Sequence, residues 1–327
     1  MSKNLRFAIV GLGRIGRRHA EMLKLHPECD WVAACDPVKP GDIDFTGNGV
    51  VFTCSINELL KGHIEFDIAS IATPNGLHEE HAIKFLQAGK HVLVEKPLAL
   101  TTDGAQRILK EAKKRGKQVF CVMQNRYSPV VTWLKEIVSR GMLGKIHMVQ
   151  VSCFWNRDSR YYSKGSWHGT RQLDGGTLFT QFSHFVDILL WLFGDITNIT
   201  GKFANFNHAG LIDFEDSAMI QFEFSNGGMG CFNYSTACFE RNIESSVVVI
   251  AEKGTLKIEG QYMDKLSVCH IKDDGVPDIA VSPFGNHYYV FDDIVSVLRN
   301  GSITSSTAEE AEKVVEVIER IYNLKLL

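Results

Sequence analysis

A glycine-rich segment near the start of the chain places Gly11, Gly13 and Gly16 in a G-x-G-x-x-G pattern. It follows an apolar run typical of a strand and opens a stretch with helical periodicity. In that context Gly11 permits a tight turn, Gly13 lets the backbone approach a pyrophosphate, and Gly16 lets the helix pack on the strand. The backbone amides of Arg14 and Ile15, in the first turn of the following helix, attract phosphate. The pattern predicts a dinucleotide site, and a glycine-rich turn without a ligand is the alternative.

An acidic residue, Asp36, lies 20 residues beyond Gly16 at the end of the second apolar run. A carboxylate at this point binds the adenosine ribose hydroxyls and repels a 2′-phosphate. No arginine stands beside it, and Pro37 follows directly. The spacing therefore favours NAD over NADP. The alternative for Asp36 is a helix cap or turn former.

Two short polar segments follow the fourth and fifth apolar runs: Thr73-Pro74-Asn75 and Glu95-Lys96-Pro97. Ligands of parallel α/β sheets bind at the carboxyl ends of strands, where both segments are expected. Asn75 can donate to a phosphate or to the nicotinamide ribose, and a cis peptide at Pro97 would direct Lys96. A lysine at the end of a buried strand is rare unless it forms an ion pair or has a functional role. A plain turn and a surface lysine are the alternatives.

A second candidate for acid–base chemistry is His184, which lies three residues before Asp187 in a predicted helix over residues 176–192. Residues three apart share a helix face, so the two side chains are expected to be neighbours. A histidine near neutral pKa suits general-base work. A core histidine capped by Asp187 is the alternative.

The segment from residue 154 to residue 176 is dense in aromatic, amide and charged side chains. Aromatic rings stack on the C–H faces of sugars, and polar groups read hydroxyls. Arg157 or Arg171 could bind a carboxylate or a diphosphate in a bidentate manner. A purely structural loop is the alternative. The predicted substrate-binding residues are Arg157, Tyr161, Tyr162, Trp167, Thr170, Asp174, Thr180, Gln181 and His184.

Helices and strands must position these residues. The pattern of predicted helices and strands differs between two parts of the chain. Residues 1–124 alternate short apolar strands with amphipathic helices, which predicts an α/β Rossmann domain with a parallel sheet. Residues 125–327 contain predicted helices over 129–140 and 307–324 and several alternating strands joined by tight turns between 196 and 271. They predict an α+β domain with an open, mainly antiparallel sheet.

Composition limits the class of partner. The 327 residues carry a formal net charge of −3, with 45% hydrophobic and 22% charged residues. No basic field is present that would attract nucleic acid or a membrane surface. The polar first residues do not resemble a signal peptide, and we expect a cytoplasmic location. Eight cysteines without a C-x-x-C pair predict free thiols, buried at Cys35, Cys121 and Cys153, and no metal site.

Four motifs occur here together in a familiar order: the glycine loop, Thr73-Pro74-Asn75 with His78, Glu95-Lys96-Pro97, and Gln124-Asn125-Arg126. The chain resembles the Gfo/Idh/MocA oxidoreductases over essentially its whole length. The resemblance implies an NAD-binding Rossmann domain followed by a domain that binds substrate and oligomerises. The cofactor contacts it implies, besides the glycine loop and Asp36, are Thr73, Pro74, Asn75, His78, Glu95, Lys96, Gln124 and Asn125.

The resemblance also implies the catalytic residues. In the family a lysine and a histidine, here Lys96 and His184, flank the sugar or polyol carbon that is oxidised, and Asp187 would orient the imidazole. Many members carry Asp or Asn where this chain has Thr180, which cannot serve as a charged acid or base. The acid–base work is therefore expected to fall on Lys96 and His184.

The aromatic segment and its surroundings are similar to UDP-N-acetylglucosaminuronate 3-dehydrogenases, which serve surface-polysaccharide synthesis. That similarity implies NAD-dependent oxidation at C3 of a nucleotide sugar. Oxidation of an inositol, a free sugar or an aldose remains open, as do an NAD-dependent glycosidase and a non-catalytic NAD-bound sensor. A broad apolar sheet face is costly to expose, so a homodimer or homotetramer is expected.

Overall fold

The computed structural model describes residues 3–163, 166–272, 279, 282–302 and 304–326. The chain forms two compact units. The first contains Met1–Val122 and His287–Val315, and the second contains Met123–Asn286 and Glu316–Leu327. The sequence-based division at residue 124 assigned residues 287–315 to the second domain, whereas they group with the first unit. The reason is a helix that packs its apolar side chains on the first sheet.

The first unit is built on a six-stranded sheet in which every neighbouring pair of strands is parallel. The central strands are buried along most of their length because helices cover both faces. The strand order is β3-β2-β1-β4-β5-β6. The strands are β1 (Leu5–Val10), β2 (Cys29–Cys35), β3 (Val51–Thr53), β4 (Ile68–Ile71), β5 (His91–Val94) and β6 (Val119–Cys121). The predicted Rossmann architecture is confirmed.

Local sequence signals explain where the helices of this unit begin and end. Ser55 accepts a hydrogen bond from the Glu58 amide at 3.2 Å, and Thr101 accepts one from the Gly104 amide at 3.0 Å. Gly116 ends its helix in the left-handed conformation, with φ +61°. The helices are α1 (Arg14–Leu25), α2 (Ile56–Lys61), α3 (His78–Gln87) and α4 (Thr102–Arg115).

A further helix, Asn286–Asn300, was not predicted from the sequence. Its apolar residues Val290, Phe291 and Ile294 follow helical spacing and are buried, so the periodicity that could have revealed it was present. The ring of Phe291 packs edge-to-face on Phe7 of β1, with centroids 5.6 Å apart. This contact joins a late segment of the chain to the first sheet.

The second unit contains a seven-stranded sheet in the order β13-β12-β11-β7-β10-β9-β8. Its pairs are antiparallel except β7 with β10, as expected for a mainly antiparallel sheet. The strands are β7 (Ile146–Phe154), β8 (Ile196–Ala204), β9 (Ser217–Phe224), β10 (Met229–Ser235), β11 (Glu244–Ala251), β12 (Gly254–Glu259) and β13 (Lys265–Ile271).

Helices cover one face of this sheet and leave the other face open. Along β9, Ala218, Ile220 and Phe222 are buried while Met219 between them is exposed, which is the alternation of a half-covered sheet. The remaining helices in chain order are α5 (Pro129–Ser139), α6 (Ser183–Phe193), α7 (Asn286–Asn300) and α8 (Ala308–Asn323).

The helix predicted over residues 176–192 has an irregular start. Leu178–Phe182 forms a π-helical turn, and regular α-helix begins only at Ser183. Such wide turns occur often at functional sites.

The eight cysteines all lie in the described ranges and form no disulfide bond there, and Cys35, Cys121 and Cys153 are buried, as predicted. In the described ranges, none of the helices combines the length and the apolar character that crossing a bilayer requires.

Candidate active site

The glycine loop shows a separate physical reason for each of its glycines. Gly11 has φ +90°, and a Cβ atom there would lie 2.6 Å from the Ala72 carbonyl oxygen. A Cβ on Gly16 would lie 1.8 Å from the Gly11 carbonyl oxygen, so the helix could not pack this closely. Gly13 instead faces open space, with nothing within 4 Å of the corresponding position. Positions 11 and 16 therefore have no room for a side chain, whereas the space beside Gly13 is open.

The open side of the loop leads to the start of α1. Gly13 is the N-cap, and no side chain among the described residues hydrogen-bonds to the free amides there. The first turn, which contains Arg14 and Ile15, also lacks an acidic residue. Free amides and the positive end of the helix dipole attract anions. This arrangement fits the phosphates of a dinucleotide.

Asp36 lies directly beside this loop. Its Oδ2 accepts a hydrogen bond from the Leu12 amide at 2.7 Å, and its Oδ1 accepts one from the Val38 amide at 2.9 Å. The carboxylate therefore forms the turn after β2 and also ties that turn to the glycine loop. The structural interpretation of Asp36 and the ribose-binding one are compatible, because each carboxylate oxygen can accept more than one hydrogen bond.

His78 connects the two motifs that follow β4 and β5. It is the first residue of α3, is fully buried, and has Nε2 2.9 Å from the Thr73 carbonyl oxygen and Nδ1 2.7 Å from the Pro97 carbonyl oxygen. Burial lowers its pKa, although both carbonyls oppose that shift. His78 was predicted to bind the cofactor, but both ring nitrogens are engaged by the backbone. Asn75, which opens the short turn before α3, is also buried.

Glu95 precedes Lys96 and is held in a buried chain of polar groups. Its Oε1 lies 2.9 Å from Nε2 of His19, and Nδ1 of His19 lies 2.7 Å from the Ser70 hydroxyl. Its Oε2 accepts a hydrogen bond from the Lys96 amide at 3.2 Å. Burial alone would raise the pKa of Glu95, but the His19 hydrogen bond and nearby positive charge lower it to about 2. Glu95 thus fixes the backbone that carries Lys96.

Lys96 itself is half-buried, and its peptide bond to Pro97 is cis. The contribution of His19 was missed from the sequence. A signal existed, because His19 lies three residues after Gly16 and four before Leu23, on the buried face of α1. A polar side chain on such a face requires a partner inside the fold.

In the second unit, Gln124 meets the candidate catalytic histidine. Its Nε2 lies 2.8 Å from Nε2 of His184, whose side chain is on α6 and largely buried. Asn125 donates a hydrogen bond to the Gln261 carbonyl at 3.2 Å. Within the described ranges, Oε1 of Gln124 and Oδ1 of Asn125 are buried without a hydrogen-bond partner. Both residues were predicted to bind the cofactor, and the structure groups Gln124 with His184.

Asp187 has a strong partner of its own. Nε of Arg126 lies 3.0 Å from Oδ2 and Nη2 lies 2.5 Å from Oδ1, and both side chains are buried. Such a bidentate pair is rigid and strongly directional. That Asp187 orients His184 stays a prediction, and the structure shows that its carboxylate also engages Arg126. This pair holds the segment of Gln124 against the helix of His184.

Three of the predicted substrate-binding residues form one hydrogen-bonded chain. Gln181, in the π-helical turn, accepts a hydrogen bond from Nε of Arg157 at 2.8 Å and donates one to the Tyr161 hydroxyl at 2.8 Å. The Arg157 guanidinium also lies 4.8 Å from the ring centre of Trp155. Stacking and a bidentate hydrogen-bonding fork make Arg157 suited to an anionic group.

Other predicted substrate residues hold the loop together instead. Asp174 is buried and accepts from the Gly169 amide at 2.7 Å, and Thr180 donates to the Asp174 carbonyl at 3.0 Å. Tyr162 packs in a buried cluster, where burial raises its pKa. For these residues the structure favours a supporting position over direct contact with a ligand.

Two further residues of the loop, Trp167 and Thr170, are half-buried. Trp167 stacks on His168 with ring centres 3.9 Å apart, and Thr170 donates to the Trp167 carbonyl at 2.9 Å. Arg171, the alternative to Arg157 as an anion ligand, is engaged by Asp213 through its backbone amide at 3.0 Å and its guanidinium at 3.2 Å. Over the described parts of the chain, no cluster of His, Cys, Asp and Glu could hold a metal ion.

The fold and the loop define a dinucleotide-binding Rossmann protein with a second, α+β unit that carries a buried histidine. Comparison with protein families agrees. The description "Oxidoreductase family, NAD-binding Rossmann fold" matches residues 5–123, and "GFO/IDH/MocA C-terminal domain" matches residues 131–257. The chain belongs to the Gfo/Idh/MocA oxidoreductase family.

Individual relatives have low sequence identity to this chain but match it over most of its length. An uncharacterised oxidoreductase of Synechocystis is 27% identical over 243 residues, which span 69% of this chain and 64% of the relative. The D-glucoside 3-dehydrogenase of Escherichia coli is 27% identical over 247 residues, 70% of this chain and 69% of the relative. The WlbA dehydrogenase of Bordetella pertussis, solved with NADH and UDP-GlcNAcA, is 28% identical with a TM-score of 0.90, covering 99% of this chain and 96% of that chain.

These matches place the protein among the NAD-dependent sugar oxidoreductases. The family description assigns NAD to the Rossmann unit, in agreement with the glycine loop and Asp36.

Proposed function

We propose that this protein oxidises a sugar hydroxyl, at C3 of a UDP-linked N-acetylglucosaminuronic acid, and serves surface-polysaccharide synthesis. One observation carries the proposal: Arg157 and Tyr161 are hydrogen-bonded to Gln181, which lies in the π-helical turn that leads into His184. A cationic side chain and a histidine are thereby connected through one continuous segment of backbone, residues 181–184. Likeness to a dehydrogenase solved with UDP-GlcNAcA over 99% of this chain supports the choice of substrate.

The first unit would hold NAD and the second the sugar. The amides after Gly13 would bind the pyrophosphate, and Asp36 would bind the adenosine ribose. Thr73, Pro74 and Asn75 follow β4 at the carboxyl edge of the sheet, where the nicotinamide half is expected to lie. When bound, NAD supplies the acceptor for the hydride that leaves the sugar carbon.

The proton of the sugar hydroxyl is assigned to His184. Gln124 holds one ring nitrogen at 2.8 Å, and the Arg126–Asp187 pair fixes the two segments that carry Gln124 and His184. An imidazole fixed in this way loses little orientational entropy when it takes a proton. Lys96 is assigned the complementary role of donating to the oxygen as negative charge develops. Its position depends on Glu95, which holds the Lys96 amide.

Formation of NADH from NAD and UDP-N-acetylglucosaminuronic acid, followed by absorbance, tests the proposal. Lys96→Ala and His184→Ala are expected to lower turnover by about 100-fold or more, since a positioned acid or base contributes at least that much. Both should still bind NAD. The matched controls, Lys110→Ala and His63→Ala, remove exposed side chains of the same types and should keep full turnover. Near wild-type rates in the Lys96 and His184 variants would overturn the assigned roles.

The choice of sugar is tested separately with an acceptor panel. A D-glucoside 3-dehydrogenase among the relatives makes a simple glucoside the second candidate, with oxidation at the same carbon. The panel therefore compares the nucleotide sugar with glucosides, inositols, free sugars and aldoses. Turnover of another member in place of the nucleotide sugar would reassign the substrate. Release of free sugar without net NADH would indicate a glycosidase, and tight NAD binding with no turnover would indicate a sensor.

We also propose that the open face of the second sheet is covered by another copy of the chain. Met148, Met219, Met229 and Ile250 are exposed and lie on strands β7, β9, β10 and β11. Exposed apolar patches on a sheet are typical of interfaces. Light scattering after size exclusion should give a homodimer or homotetramer. Met219→Lys should shift the protein toward the monomer, and a wild-type monomer at micromolar concentration would contradict the proposal.

A further inference from the structure

We propose that Tyr322, close to the C-terminus, is a positioning residue for the segment that carries His184. The inference rests on the proposed function, because it assumes that His184 takes part in the reaction. It concerns a buried polar cluster in the second unit, formed by Glu215, Tyr234, Tyr322 and Lys325, that no step above uses.

The centre of this cluster is the Glu215 carboxylate, which is 4% exposed. Its Oε1 accepts a hydrogen bond from the Tyr234 hydroxyl at 2.7 Å and another from the Tyr322 hydroxyl at 2.9 Å. Lys325 forms an ion pair with Oε2. A buried carboxylate is stable only when its oxygens are satisfied, so the cluster holds the C-terminal segment firmly in the second unit.

Only one of the two tyrosines also reaches the segment of the site. The Tyr322 hydroxyl donates its proton to Glu215, and the same oxygen accepts a hydrogen bond from the Leu178 amide at 2.9 Å. Leu178 is the first residue of the π-helical turn. One residue earlier, the Thr177 hydroxyl donates to the Glu215 carbonyl at 2.6 Å. The start of the turn is therefore anchored at two successive residues.

Glycine at position 176 makes this anchor possible. Gly176 has φ +140°, and a Cβ atom there would lie 2.4 Å from the Tyr322 hydroxyl oxygen. Tyr322 can approach the backbone this closely only because residue 176 is a glycine and has no side chain. The contact is built into the local backbone and does not depend on a surface side chain.

The Leu178–Tyr322 hydrogen bond lies at the start of the segment that carries His184. The π-helical turn carries Gln181 and runs directly into α6, where His184 lies in the first turn. A π-helical turn interrupts the regular hydrogen-bond pattern of an α-helix, so its exact path depends on contacts outside the turn. Loss of the Leu178 anchor should shift or loosen His184 and the Gln181 chain, and small displacements of catalytic groups are costly.

Two conservative variants separate positioning from stability. Tyr322→Phe and Tyr234→Phe each remove one hydroxyl from the same Glu215 oxygen and keep the ring, but only the first removes the acceptor of the Leu178 amide. Both variants are expected to lower Tm, and Tyr322→Phe more than Tyr234→Phe because the Leu178 amide also loses its acceptor. Tyr322→Phe should lower kcat by about tenfold or more with the KM for NAD unchanged, whereas Tyr234→Phe should stay within about twofold of wild type. Equal kcat values in the two variants would overturn the proposal.

A second measurement does not require turnover. Amide hydrogen exchange over residues 176–184 should become faster in Tyr322→Phe and stay as in wild type in Tyr234→Phe. If exchange rises but no sugar is oxidised by the wild type, the anchor holds and the proposed function fails. If exchange is the same in both variants, the anchor fails whether or not the enzyme turns over the nucleotide sugar.

Discussion

Nε2 of His184 lies 2.8 Å from Nε2 of Gln124, so an amide side chain from before α5 holds the ring of a histidine on α6. An amide can serve both protonation states of an imidazole, because its nitrogen donates to a neutral ring and its oxygen accepts from a charged one. Gln124 is thus matched to a histidine that gains and loses a proton.

Replacing that amide with a carboxylate should move the pH dependence of the reaction. In Gln124→Glu a negative charge would stand next to His184 and raise its pKa by about one unit or more. The neutral ring is the base in the proposed reaction, so the acid limb of the kcat/KM profile should move to higher pH. Gln87→Glu, an exposed position at the end of α3, is the control. An unmoved acid limb would argue that His184 is not the base.

The buried pair of Arg126 and Asp187 should be costly to break on one side only. Asp187→Asn leaves the Arg126 charge without its counterion and is expected to lower the free energy of unfolding by about 3 kcal/mol or more. The double variant Arg126→Met, Asp187→Leu should lose less than the single one, because no buried charge remains. Urea unfolding measures both.

A surface pair provides the comparison. Arg140 and Glu136 form an exposed i,i+4 ion pair, and Glu136→Gln should cost no more than about 0.5 kcal/mol. If Asp187→Asn costs as little as Glu136→Gln, the buried pair does not hold the two segments together.

Cofactor choice should depend on Asp36. Asp36→Asn keeps an acceptor near the Leu12 amide but removes the charge that repels a 2′-phosphate. The ratio of kcat/KM for NADP to that for NAD should rise by about tenfold or more. Steady-state rates with both cofactors measure this ratio. Asp30→Asn, an exposed position on the same strand, should leave it unchanged, and an unchanged ratio in Asp36→Asn would contradict the assignment.

Because of the buried Glu95, the free energy of unfolding should depend on pH in the acidic range. Its pKa lies at about 2 in the folded protein against an ordinary value of 4.5. The stability it adds when ionised is complete above the ordinary value and is lost as the pH falls from there toward 2. Glu95→Gln should therefore be clearly less stable than wild type at pH 7, with the gap narrowing toward pH 3. A constant gap in urea unfolding at both pH values would contradict this prediction.

Residues that act through their neighbours in the chain could be assigned from the sequence. The glycine loop, the strand before it and helix α1 after it form one continuous segment, so their spacing indicated a dinucleotide site, and Asp36 at the end of β2 favoured NAD. The capping residue Ser55 and the helix end at Gly116 are equally local signals. The catalytic assignments of Lys96 and His184 came from family resemblance and remain proposals.

Only the tertiary structure decided how distant side chains pair. Gln124 and His184 are 60 residues apart, and Tyr322 and Leu178 are 144 apart, so no local pattern could join them. The same applies to α7, whose Phe291 packs on Phe7 of β1, 284 residues earlier in the chain, although its own periodicity was visible. Sequence spacing determines which groups share one element. Packing between elements, driven by burial and by the need to satisfy every buried polar group, determines which groups meet.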